Sequence, residues 1–166
     1  LAQLRERGHA RIMGVELDER AILTCVRQGL DVVQADLNQG LPIFADKQFD
    51  FVVLSQTLQT VLDVKRVIEE MLRVGRRGIV SFPNLGYWKL RSQLEAGQSP
   101  RASALMGCNW YDTPNVRFLT IVDFEDFCRQ HGVCIHQCIA LDTETDRLVT
   151  ENPNLYADVA VAVLSR

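Results

Sequence analysis

The apolar positions of this chain change period repeatedly between 2 and 3.6, and the changes divide it into elements. Residues 11–18, RIMGVELD, are a short apolar run ending in two acids and opening into a helical pattern. That pattern predicts a buried parallel strand carrying a carboxylate to the carboxyl edge of a sheet, where open α/β sheets take nucleotides. Asp18 is placed to cap a helix with Ile22, Cys25 and Val26 on its apolar face and Gly29 at its end. A second acid-ended strand follows, DVVQAD at 31–36, then a polar surface connection over 37–48. FDFVVLS, at 49–55, is β-branched and aromatic and gives the strongest strand signal. The next helix starts from Asp63, buries Val64, Val67, Ile68, Met71 and Leu72, and stops at Gly75. RGIVSF, at 77–82, is another buried strand, halted by Pro83. Strand, helix, strand, loop, strand, helix, strand implies a mostly parallel sheet covered on both faces.

The pattern weakens after Asn84. Tyr87, Leu90, Arg91 and Leu94 predict a short helix ending at Gly97, and 98–115 reads as loop, with NWYDTPN gathering aromatic and hydrogen-bonding side chains at 109–115. Thr120 with Asp123 has the spacing of a capping box for a helix that turns Phe124, Phe127 and Cys128 inward and ends at Gly132. Two strands close the chain, at 133–141 and 156–164. The stretch between them is polar and has no sustained helical face, so it cannot cover a parallel crossover, and the last two strands are expected to be antiparallel. The first ten residues read as the last turns of a helix with Gly8 at its end.

Length and charge narrow the class. The chain's 166 residues suit one domain over 1–166. A net charge of −3, with basic residues clustered only at Arg73, Arg76 and Arg77, argues against nucleic acid as a partner. Those three arginines read as a solvated face beside a helix C-terminus. No run approaches the roughly 18 apolar residues of a membrane span, so a soluble, cytoplasmic protein is expected. Five cysteines without a CxxC pair make neither a disulfide framework nor a zinc knuckle. They read as reduced core thiols, with Cys108, in a polar aromatic loop, the least explained. No metal site is expected.

The acid-ended second element and the antiparallel finish resemble class I S-adenosylmethionine-dependent methyltransferases. A closer resemblance is to the MetW family of bacterial methionine-biosynthesis proteins, through GVELDERAI, FDFVVLSQTLQTV, EEMLRVGRRGIVSFPNLGYW and NWYDTPNVRFLTIVDFEDFCRQHG. FPNLGYW and WYDTPN are the specific parts. The resemblance implies a Rossmann-like class I methyltransferase fold, mostly parallel with an antiparallel last strand. It implies S-adenosylmethionine, or S-adenosylhomocysteine, as cofactor. Glu16, beside Leu17, would accept hydrogen bonds from the ribose hydroxyls, Asp36 would meet the adenine amino group with Leu37 beside the base, and Ser55 and Gln56 would lie near the methionine moiety and acceptor. The family's first strand and glycine-rich loop are not matched by these residues. The expectation is therefore a domain incomplete at its N-terminus, with about 30 further residues upstream at ordinary element sizes.

Each assignment has a plainer rival. Glu16 could be a strand-end acid facing solvent, Asp36 a turn residue, and Gln56 and Gln59 exposed polar residues. Trp110 and Tyr111, with Asp112, and also Asn84, are candidates to face a substrate or partner; the aromatics could instead seal the core edge. No catalytic residue can be named: His9, His131 and His136 are not placed for one, and the Asn/Asp-Pro-Pro-aromatic motif of amino methyltransferases is missing, SFPN being no substitute. Two functions follow from the resemblance. One is an adenosylmethionine-binding partner or activator of a homoserine O-acyltransferase in methionine synthesis, and the other an active methyltransferase on a small-molecule acceptor. A dehydrogenase using NAD also puts an acid after its second strand; a parallel final strand would favour it.

Overall fold

The computed structural model describes residues 1–9, 11–100 and 110–166. Two compact units divide it, Leu1–Pro42 and Ile43–Arg166.

In the first unit, α1 (Ala2–Glu6) precedes β1 (Gly14–Glu16), α2 (Glu19–Arg27) and β2 (Val32–Gln34). β1 and β2 pair in parallel, Gly14 against Val32 and Glu16 against Gln34. The ladder covers only three residues of each predicted strand. Asp18 caps α2 as expected, accepting the Ala21 N–H at 2.8 Å. Gly29 follows the helix with φ +69°, a left-handed conformation that glycine adopts without steric cost. Arg5 reaches the same corner, donating to the Gly29 and Gln28 carbonyls at 2.9 and 2.8 Å.

The second unit comprises β3 (Phe49–Ser55), α3 (Val64–Val74), β4 (Gly75–Pro83), α4 (Trp88–Glu95), α5 (Ile121–Gln130), β5 (Cys134–Asp142), β6 (Arg147–Leu148), α6 (Pro153–Tyr156) and β7 (Val159–Ser165). Its sheet runs β3-β4-β7-β5-β6. β3 and β4 are parallel, whereas β7 lies antiparallel to both β4 and β5. The last strand is thus inserted between two strands of the opposite sense, as the polar 142–154 connection required. It begins at Val159, three residues later than predicted, because Tyr156 belongs to α6.

The core lies on one face of this sheet. Val80 and Phe82 stand opposite Ala162 and Ala160, and all four are fully buried. Large side chains on β4 meet small ones on β7, which leaves room for Phe82 to pack on Phe124 of α5, ring centroids 4.6 Å apart. α3 packs on the same face: Ile68, Met71 and Leu72 are 1–2% exposed, and a Cβ on Gly78 would come within 2.3 Å of the Met71 methyl. Gly78 therefore sets the approach of helix to sheet. The expectation of cover on both faces needs correction here, because on the opposite face Phe51 and Val53 are 53% and 54% exposed.

Three other readings change. Leu41 and Phe44 are buried, so the 37–48 connection is not simply a polar surface segment. Arg73 is half-buried and clamps Glu70, Asp46 and the Phe44 carbonyl, rather than lying on a solvated face. Cys128 is buried, and desolvation pushes its thiol up to about 12. Cys134 and Cys138 are exposed residues, against the expectation of core thiols. Cys108 lies outside the described residues. No helix among the described residues is long and apolar enough to cross a membrane.

Candidate functional site

In the first unit, the short β1 ladder ends at Glu16, whose carboxylate folds back on the turn that follows. Its Oε1 accepts the backbone N–H groups of Leu17 and Asp18 at 2.8 and 3.0 Å. Oε2 takes none among the described residues, so one oxygen fixes the side chain and the other is left to accept. Glu16, Leu17, Asp18, Glu19, Arg20 and Gln34 line an open cleft of about 670 Å³. Leu17 is 58% exposed over it, and Gln34 crosses from β2 to donate to the Leu17 carbonyl at 3.3 Å. The cleft therefore offers a fixed carboxylate beside an apolar side chain, suited to a ligand with hydroxyl donors and a flat apolar part. Gln34 was not foreseen as a lining residue. Its signal was present in the register, since it ends the strand beside Glu16.

Asp36 does what the plainer reading expected. Its Oδ1 accepts the Asn38 backbone and side-chain N–H groups at 2.9 and 3.0 Å, which starts the 3-10 turn Leu37–Gln39. Leu37 is half-buried in that turn.

In the second unit, β3 ends at Ser55 and Gln56. The Gln56 N–H donates to the Ser81 carbonyl at 3.0 Å, and the Ser81 hydroxyl lies 3.4 Å from that of Ser55. Gln56 has φ +49°, a conformation few non-glycine residues adopt. Gln59, for which an exposed polar residue is the plainer reading, is 5% exposed. Its Nε2 donates to the Gln56 carbonyl at 2.8 Å, and its Oε1 is buried with no hydrogen-bond partner among the described residues. Sequence reasoning had no signal for this burial.

Asn84 is another correction. It is fully buried, so it faces neither a substrate nor a partner. Its Nδ2 donates to the Asn154 and Ala157 carbonyls at 3.1 and 2.7 Å, and its Oδ1 accepts the Gly86 and Ile121 N–H groups at 2.9 and 3.2 Å. The side chain thus joins the end of β4, the start of α5 and α6.

Trp110 and Tyr111 are 71% and 69% exposed and meet edge-to-face, so they do not seal a core. Asp112 is exposed beside them; Asn109 lies outside the described residues. The following backbone is tied down, since Val116 and Arg117 both donate to the Gln59 carbonyl, at 2.9 and 3.0 Å, and the Arg117 guanidinium donates to the Leu62 carbonyl. Among the three histidines, His136 meets Ser165 at 2.8 Å and His131 lies tilted against Phe127, ring centroids 4.6 Å apart, while His9 follows α1. None joins an acid–base constellation among the described residues. Among the described residues, no group of three His, Cys, Asp or Glu side chains could hold a metal.

Comparison with known proteins adds two kinds of likeness. The family described as "Methionine biosynthesis protein MetW" matches residues 1–164. A bifunctional methionine biosynthesis protein MetXA/MetW of Rhodopirellula baltica is 44% identical over 159 residues. That match takes in 94% of this chain and 26% of the relative, so the chain spans about a quarter of the relative's length. Among solved structures, an S-adenosylmethionine dependent methyltransferase from Mesorhizobium loti superposes with a TM-score of 0.68 at 16% identity, covering 99% of this chain and 84% of that one. One from Methanosarcina mazei gives 0.67 at 17% identity, covering 99% and 85%. At these identities the likeness is one of fold. The fold is α/β, Rossmann-like and of the class I methyltransferase type, and its antiparallel β7 excludes the parallel finish that would have favoured a dehydrogenase.

Proposed function

The chain belongs to the MetW family of methionine biosynthesis proteins, and from that premise we propose that it binds S-adenosylmethionine or S-adenosylhomocysteine and supports a homoserine O-acyltransferase as its partner or activator. The carrying observation is Glu16, a carboxylate anchored through one oxygen at the carboxyl end of a parallel strand and lining an open cleft. Ribose presents two adjacent hydroxyl donors, and a carboxylate can accept from both. In the first unit Glu16 binds the ribose, Leu17 and Leu37 flank the base, and Asp36 meets the adenine amino group through the oxygen its turn does not use. In the second unit the turn Ser55–Gln56 faces the methionine end, or an acceptor. When bound, adenosylmethionine supplies an activated methyl group; in the activator reading that methyl stays in place and the molecule serves as a signal.

The partner reading is supported by the relative that carries MetXA and MetW on one polypeptide, of which this chain matches about a quarter. Two functions joined in one chain meet at high effective concentration, an arrangement that suits partners. Trp110, Tyr111 and Asp112 are the residues proposed to face the partner, since exposed aromatics are favoured at such contacts. The second reading is a methyltransferase acting on a small molecule, favoured by the fold and by the polar turn after β3. It lacks a general base, which not every methyl transfer needs.

Calorimetric titration of adenosylmethionine into the full-length protein tests the ligand. Glu16→Ala is expected to weaken binding by about 10- to 100-fold, the worth of a charge-assisted hydrogen bond. Equal affinity in both proteins removes Glu16 from the site. An acyltransferase assay with and without the protein tests the partner, and activity unchanged by its addition overturns that half. Turnover of methyl-labelled adenosylmethionine on an acceptor favours the enzyme reading.

A further inference from the structure

The end of β3 and the exposed aromatic segment are separated by more than fifty residues of sequence, yet one side chain and its own carbonyl join them. The Gln59 Nε2 holds the carbonyl of Gln56, the left-handed residue at the end of β3. The Gln59 carbonyl holds the N–H groups of both Val116 and Arg117, filling its two lone pairs. Gln56 cannot shift without breaking or dragging that bond, because its N–H is pinned on β4 by the Ser81 carbonyl. Gln59 is therefore the direct covalent and hydrogen-bonded route from the turn at Ser55–Gln56 to the segment that begins at Trp110.

The same residue carries an unmet demand. Its amide orientation is fixed, since turning the group over would set oxygen against the Gln56 carbonyl, so Oε1 is the atom left without a donor among the described residues. A buried acceptor without a donor raises the free energy of the arrangement that contains it, and a rearrangement that supplies one is favoured. Strain at Gln56 acts in the same direction. Both features raise the free energy of the observed turn, so a ligand that favours a different arrangement of it has less to overcome.

We infer that Gln59 is a positioning residue that transmits occupancy of the Ser55–Gln56 turn to the segment from Trp110 to Arg117, so that the bound nucleotide sets the conformation of the partner-facing aromatics. The inference rests on the ligand reading above and adds the route by which a signal leaves the site. It requires no chemistry at the methyl group.

The test uses the full-length protein carrying Trp88→Phe, which leaves Trp110 as the tryptophan reporting from this chain's sequence. Adenosylmethionine is added while Trp110 emission is followed, and calorimetry on the same samples reports binding. The expected result is an emission change that saturates with the binding isotherm. Gln59→Leu keeps affinity within about fivefold, the lower end of ordinary coupling between sites, and loses the emission change. Hydrogen exchange at the Val116 and Arg117 amides in the unmutated protein gives a second measurement that does not depend on the variant folding. Their rates are expected to change by roughly fivefold or more on ligand addition. Binding heat with unchanged emission and unchanged exchange overturns the inference and leaves the ligand reading standing. An emission change that persists in Gln59→Leu also overturns it. Absence of binding heat overturns both.

Discussion

The two units handle the same parallel pairing very differently. In Leu1–Pro42 each strand is three residues long and, among the described residues, the buried hydrophobic side chains are Leu30 and Leu41. In Ile43–Arg166 strands of up to nine residues carry a core in which Val80, Phe82, Ala160, Ala162 and Leu164 are fully buried. Glu16 and its open cleft lie in the thinly packed unit, while the aromatic segment is tied to the well-packed one. A ligand-binding edge drawn from the low-stability part of a structure can be ordered by its ligand at small cost, whereas a surface that must be recognised needs a firm base. The comparison predicts that stability is concentrated after Pro42 and that nucleotide binding stabilises what precedes it.

The largest effect is expected at Phe82. Phe82→Ala leaves a cavity against Phe124 and should cost about 3–5 kcal/mol in urea unfolding. Ile22→Ala, on the half-buried face of α2, should cost about 1 kcal/mol, because less area leaves water there. Equal costs would break the contrast between the units. Asn84→Ala comes next, at about 2–3 kcal/mol, since it strands the buried Gly86 N–H and the Asn154 and Ala157 carbonyls, while the Ile121 N–H keeps the Asn154 Oδ1 at 3.1 Å. Asn84→Asp separates donor from acceptor: it keeps the Oδ1 bonds but sets a carboxylate oxygen against the Asn154 and Ala157 carbonyls in a fully buried site, and should cost at least as much as alanine in the same urea measurement.

How much of this could be read in advance depends on whether the cause was local. Asp18, Asp63 and the Thr120–Asp123 box were legible because a cap is decided within four residues, and all three form as expected. The sense of β7 was legible for a different reason: the polar 142–154 segment excluded a covering crossover, and topology followed by elimination. The family was legible in WYDTPN and FPNLGYW, which are sequence signals in themselves. Asn84 and Gln59 were misread because their burial comes from segments 37 to 73 residues away, and a polar side chain looks the same in sequence whether it faces water or four backbone groups. Phe51 and Val53 were misread for the converse reason. Hydrophobicity predicts a strand, but it does not say that both faces are covered.

The smallest effect is the sharpest test of the contrast, because it uses the same chemistry in both units. Asp18 and Asp63 each accept an N–H three residues on, from Ala21 at 2.8 Å and from Arg66 at 3.0 Å. Removing either cap by alanine should weaken its helix by about 1 kcal/mol. For Asp63 that loss belongs to the core, because α3 buries Ile68, Met71 and Leu72, and the urea midpoint of the whole transition should fall. For Asp18 the loss should be confined to the helix it caps. Amide exchange along α2 should quicken about fivefold while the global midpoint holds, as happens when a segment opens without the rest. Adenosylmethionine should restore slow exchange in Asp18→Ala if ligand and cap stabilise the same unit, by an amount that grows with ligand concentration over its Kd. A midpoint lowered as much by Asp18→Ala as by Asp63→Ala would show that α2 and α3 unfold as one.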